Sequence, residues 1–133
     1  MGFAALFAST PKIGLGNLTV ANTNRDGTGT IVACFTAGAS GSRIDQIKMM
    51  ARATTTAGML RLFIYDGTTA WLWKEVPVQA ITPGATQQGW TKTIASGDGE
   101  TLELPLMLPT GYSLRAAMHN AESTNVEVQG GDF

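Results

Sequence analysis

Met59-Leu60-Arg61-Leu62-Phe63-Ile64-Tyr65-Asp66-Gly67-Thr68-Thr69-Ala70-Trp71-Leu72-Trp73-Lys74-Glu75-Val76 reads as two alternating apolar stretches joined by a glycine-containing turn, the pattern of an antiparallel β-hairpin. A register that sets Asp66 opposite Ala70 pairs Arg61 with Glu75, Phe63 with Trp73 and Tyr65 with Trp71 on one face. Leu60 then meets Val76, and Ile64 meets Leu72, on the other. A three-residue loop prefers its glycine late, and Gly67 comes early, so a two- or four-residue loop stays open. Both faces are partly apolar. One is buried by the rest of its own fold, and the aromatic ladder on the other requires a cover.

Outward from the hairpin, the same alternation recurs between Gly, Asn, Asp and Pro borders. It predicts strands near 15–21, 30–36, 43–54, 58–66, 70–78, 88–95, 100–107, 111–119 and 124–129. Turn chemistry separates them, as in Asn22-Thr23-Asn24-Arg25-Asp26-Gly27, Gly38-Ala39-Ser40-Gly41 and Ser96-Gly97-Asp98-Gly99. Ile47, Met49, Ala51 and Ala53 are expected inward and Lys48, Met50 and Arg52 outward. Leu114, Ala116 and Met118 are expected to alternate with Ser113, Arg115 and Ala117. Short strands at this spacing predict an all-β, antiparallel two-sheet β-sandwich, with the jelly roll its commonest form at this size. No repeat, linker or capped helical stripe interrupts the pattern. The expected organisation is an extended N-terminal arm over 1–14 and a single sandwich domain over 15–133.

The 133 residues suffice for a core without staples, and the single cysteine, Cys34, rules out an internal disulfide. Nine basic and ten acidic residues leave a net charge of −1 with no block of like charge. That balance offers no electrostatic footprint for nucleic acid or an anionic membrane. Sixteen glycines and only 14% charged residues favour twisted sheets with tight turns and a broad neutral surface. The opening Met1-Gly2-Phe3-Ala4-Ala5-Leu6-Phe7 lacks the basic region of a signal peptide, is too short to span a bilayer, and misses the myristoylation pattern. Phe3, Leu6 and Phe7 are therefore expected to dock on this subunit or on a neighbour.

Motifs that carry chemistry are missing or incomplete. His119 is the only histidine, which excludes a multi-histidine metal site. Gly38-Ala39-Ser40-Gly41-Ser42 falls short of a nucleophile elbow, and Gly14-Leu15-Gly16 lacks the third glycine and helix of a dinucleotide fingerprint. Asp26-Gly27-Thr28-Gly29-Thr30 has too few carboxylates for a calcium loop, and Asp98 with Glu100 lies in a turn with no reason for a shifted pKa. The expectation is no enzyme, no cofactor and no metal. A rival function is glycan binding, with Trp71, Trp73, Trp90 and Tyr112 as a stacking platform. It requires at least two coplanar indoles open to water, whereas a subunit interface requires them covered.

The strings Thr10-Pro11-Lys12-Ile13-Gly14-Leu15-Gly16, Ala21-Asn22-Thr23-Asn24-Arg25-Asp26-Gly27-Thr28-Gly29, Phe35-Thr36-Ala37-Gly38, Gly41-Ser42-Arg43-Ile44-Asp45, Leu60-Arg61-Leu62-Phe63-Ile64-Tyr65-Asp66-Gly67, Leu108-Pro109-Thr110-Gly111-Tyr112-Ser113-Leu114 and Gly130-Gly131-Asp132-Phe133 span most of the chain. Together they resemble the capsid decoration, or cement, proteins of tailed bacteriophages. The resemblance implies a β-sandwich that oligomerises as a dimer or trimer, sits on the outer surface of the virion head, and clamps neighbouring major capsid proteins. It also implies synthesis in the host cytoplasm. A tail or spike adhesin that binds glycan is the alternative. The interface candidates are Phe3, Leu6 and Phe7 of the arm, Phe133, the polar residues Arg25, Asp26, Arg43 and Asp45, and the indoles Trp71 and Trp73. Loops near 22–29 and 36–43 are expected to reach neighbours, with many weak contacts adding up by multivalency.

Overall fold

The computed structural model describes residues 9–95 and 104–133, and these form nine strands and no helix. In chain order they are β1 (Thr10–Leu18), β2 (Val32–Thr36), β3 (Ser42–Ala51), β4 (Gly58–Tyr65), β5 (Ala70–Val78), β6 (Thr91–Ala95), β7 (Leu106–Leu108), β8 (Ser113–Met118) and β9 (Thr124–Asp132). One sheet runs β1-β9-β3-β6, with β7 on the same edge of β3 as β6; the other runs β2-β8-β4-β5. Every strand pairing is antiparallel, and the two sheets pack face to face as a β-sandwich. The pairings nest: β1 with β9, β2 with β8, β3 with β6 and β7, and β4 with β5.

Period-two burial builds the core. In β3, Ile47, Met49 and Ala51 turn inward while Lys48 and Met50 stay exposed, and a bulge between Ile44 and Gln46 resets the phase so that Ile44 is buried as well. Leu60, Leu62, Leu114, Ala116 and Met118 of the four-stranded sheet meet Ile47, Met49, Val126 and Val128 of the five-stranded sheet in one cluster. At one margin the two sheets come much closer than the usual ~10 Å spacing. A Cβ on Gly14 would fall 2.0 Å from the Cys34 carbonyl oxygen, so only glycine lets β1 lie on β2 there.

Several expectations are corrected. The first strand begins at Thr10, because Thr10–Gly14 pair in register with Val128–Asp132, so these residues belong to the sheet and not to an arm. Residues 1–8, which hold Phe3, Leu6 and Phe7, and 96–103, which hold Asp98 and Glu100, lie outside the described residues. The hairpin keeps Leu60 opposite Val76 and Arg61 opposite Glu75, but a bulge between Leu62 and Phe63 makes Trp73 the extra residue. Phe63 therefore faces Leu72, and Tyr65 faces Ala70 across a four-residue loop closed by the Asp66 N–H on the Thr69 carbonyl at 3.1 Å. Ala53 is exposed beyond the end of β3, and Ser113 and Ala117, expected outward, are buried.

Candidate interaction surfaces

The burial of Ala117 has the same origin as that of Phe63, its near neighbour. Both stand on the face of β4 and β8 turned away from the inter-sheet core, yet Phe63 is 0% exposed. The segment placed to cover them is the loop of residues 22–30. It leaves β8 where the Asn22 N–H donates to the Met118 carbonyl, and it reaches β5, where the Arg25 guanidinium meets Glu75 Oε1 at 2.7 Å. Gly27, at φ +86°, lies so close to Ala70 that a Cβ would sit 2.6 Å from its carbonyl oxygen.

Asn22 closes the loop. Its buried amide donates to the carbonyls of Thr28 (3.0 Å) and Thr30 (2.9 Å), while its Oδ1 accepts the Asn24 N–H at 2.9 Å. Asp26 accepts the backbone N–H and hydroxyl of Thr28, which hold its carboxyl below the ordinary range. Glu75 is shared between Arg25 and the buried Arg61, at 2.7 and 3.0 Å, and those two guanidiniums keep it ionised below its usual pKa. Next to them Arg115 stacks on the Tyr65 ring, 3.8 Å from its centroid. Arg25 and Asp26 thus pack their own subunit's loop, and the aromatic ladder expected on one face of the hairpin does not form: Phe63 is buried opposite Leu72, Tyr65 carries Arg115, and the bulge takes Trp71 and Trp73 out of register with them.

A second cluster gathers around Asp132. Its carboxylate accepts from the Ser42 hydroxyl and from Lys12 Nζ at 3.2 Å, interactions that depress its pKa in that order. Lys12 also donates to the Thr36 carbonyl and lies over the Phe35 ring, while the Gly38 N–H donates to Ser42 Oγ at 2.8 Å. Through its one ammonium group Lys12 ties the Thr36 carbonyl of the four-stranded sheet to the Asp132 carboxylate of the five-stranded sheet. The half-buried Phe133 follows, its N–H on the Gly41 carbonyl. Arg43 and Asp45 pair with each other at 2.7 Å. The 36–43 segment is accordingly held in place by β9.

The four aromatic residues of a stacking platform are not gathered at the surface. Trp90 is buried, Trp73 and Tyr112 pack against the core, and Trp71 alone is open, at 60% exposure, its indole N–H on Asp66 Oδ2. Asp66 also accepts the N–H groups of Thr68 and Thr69, and these bonds hold it well below the ordinary carboxylate range. Burial drives the Cys34 thiol up to about 12, which leaves it an inert neutral group. Among the described residues no group of three His, Cys, Asp or Glu side chains is placed to hold a metal.

The outer face of the five-stranded sheet is an open surface. Outward positions run Ile13, Leu15 and Asn17 on β1, Asn125, Glu127 and Gln129 on β9, and Gln46, Lys48 and Met50 on β3. Lys48 lies directly opposite Glu127, so the centre of the face is charge-balanced. Met50 and Met107 are exposed toward the far edge. Sequence alternation marks these residues as outward, but only the sheet order shows that they share one surface. Compared with known proteins, the chain matches no protein-family model and no curated protein.

Proposed function

We propose that this chain is a non-enzymatic structural subunit of jelly-roll topology that binds the outer surface of a bacteriophage head and stabilises contacts between major capsid proteins. The nested strand pairing supports the jelly roll, since it is the order produced when one long hairpin is rolled up. The single observation that carries the function is the outer face of the five-stranded sheet. It is broad and nearly charge-neutral, and it exposes Met50 and Met107 among Gln, Asn and Thr side chains. Such a surface engages a large partner by shape and by many small contacts. The tied-down loops at 22–30 and 36–43 add pre-organised backbone, so little ordering entropy opposes attachment. The glycan reading is the weaker one, because it rests on Trp71 alone.

The test is occupancy on undecorated, expanded heads of the phage that encodes the chain. Met50→Glu combined with Met107→Glu should lower occupancy at least about tenfold, which corresponds to ~1.4 kcal/mol. Full occupancy by this variant removes the face from the mechanism, and failure of the unaltered chain to bind heads removes the function. Removing residues 1–8, which precede the paired strand β1, tests the arm separately; unchanged occupancy means that it does not contribute.

A further inference from the structure

Edge strands invite pairing with other chains, and natural sheets blunt them with bulges, prolines or short length. Three of the four edges among the described residues are blunted in this way. β2 is five residues long and irregular between Ala33 and Phe35; β5 is bulged at Trp73 and contains Pro77; β6 and β7, which share an edge, are five and three residues long. β1 is different. It runs nine residues in unbroken register with β9 on one side, ends its sheet on the other, and exposes Ile13 at 61% and Leu15 at 72%.

We propose that a second copy of this chain pairs its own β1 antiparallel with this edge, about a two-fold axis through Gly14, so that two five-stranded sheets become one continuous sheet. The strand itself specifies this occupant. Gly14 is the midpoint of Thr10–Leu18, so this register overlaps all nine residues of both copies. It sets Ile13 against Leu15 of the partner subunit, and Leu15 against Ile13 of the partner subunit, closing the four open apolar side chains into one cluster on the outer face. Centring the pair on Ile13 or on Leu15 instead leaves an apolar residue opposite Pro11 or Asn17. No like charges meet: the one charge on β1, Lys12, is turned inward onto Asp132 and stands opposite Gly16 of the partner subunit. An isologous contact of this kind closes after two copies and does not propagate into fibres.

Sedimentation velocity of the full chain, up to about 0.5 mM, reads this directly. The expected result is a reversible dimer. Leu15→Lys and, separately, Ile13→Lys should each weaken it at least about tenfold while leaving the melting temperature of the subunit unchanged, since both side chains are open in the monomer. Trp71→Lys, on the β5 edge, should leave the dimer intact. A chain that stays monomeric throughout the range, including one that pairs only with a strand of another protein, overturns the proposal. So does a dimer that survives both lysine substitutions, or one that Trp71→Lys dissolves. The inference is independent of head attachment, and a monomeric result leaves the occupancy test untouched.

Discussion

Replacing Asn22 by alanine deletes three hydrogen bonds at a residue only 6% exposed: amide to Thr28 O, amide to Thr30 O, and Asn24 N–H to Oδ1. At a net ~0.5–1.5 kcal/mol each, the loss sums to roughly 1.5–4.5 kcal/mol. Thr28 and Thr30 sit in an exposed stretch, so their freed carbonyls regain water and the cost falls toward the middle of that range, about 2–3 kcal/mol. For a chain of this size that is a melting shift of roughly 6–15 °C. Urea titration should show a lower midpoint at unchanged slope, and hydrogen exchange should quicken first in residues 22–30. Asn22→Asp must be worse than Asn22→Ala, because a carboxylate then faces two carbonyl oxygens with nothing to donate. An alanine variant within about 0.5 kcal/mol of the parent, or an aspartate variant no worse than alanine, would refute the view that this side chain clasps the loop.

Phe63→Ala should cost about 3–5 kcal/mol in chemical denaturation despite lying outside the inter-sheet core, because the ring is fully buried; a loss under about 1 kcal/mol means that the outer face of this sheet is not packed as a second core. Gly14→Ala should abolish the folded state or cost more than the ~1–3 kcal/mol of ordinary overpacking, judged by circular dichroism and melting, since the added methyl meets backbone and not a movable side chain. Asp132 and Glu75 have folded-state pKa values below their ordinary 3.8 and 4.5, so each contributes stability above those values that is lost as pH falls through the folded pKa. The melting temperature should be level from pH 7 to about 5 and fall below 4.5, and Asp132→Asn should make that fall shallower; an unchanged acid slope would exclude Asp132 as a contributor.

Alternation in the chain was enough to read the sandwich, because a half-buried strand must repeat every two residues, and β3 and β9 do so almost without exception. What alternation does not carry is a local break in it. The bulge at Trp73 shifts half of the hairpin by one residue, and no residue type there announces it. The 22–30 loop is brought onto the outer side of the hairpin by Arg25 at Glu75 and Gly27 at Ala70, approaches set by tertiary packing and not by local pattern. Arg25 and Asp26 were legible as notable polar residues, but the carboxylate that Arg25 meets, Glu75, belongs to the hairpin and is brought in only by the fold. Asn22 and Asp132 were missed as organising residues. The signal available for Asn22 was the cluster Asn22-Thr23-Asn24-Arg25-Asp26-Gly27-Thr28-Gly29-Thr30, where short polar side chains and glycines return a loop on itself.

The position of β9 bears on how the molecule is assembled. The last strand in sequence order lies between the first and the third, and Ser9 meets Asp132 across 123 residues. A ribosome must therefore have delivered the polypeptide through Asp132 before half of the sandwich has a centre to zip onto. Until then β1 and β3 are waiting margins without their shared neighbour, and the high contact order makes the final insertion slow. Any stop codon upstream of Thr124 deletes a keystone and not a tail, and the product should be found in inclusion bodies instead of as a shortened but working subunit.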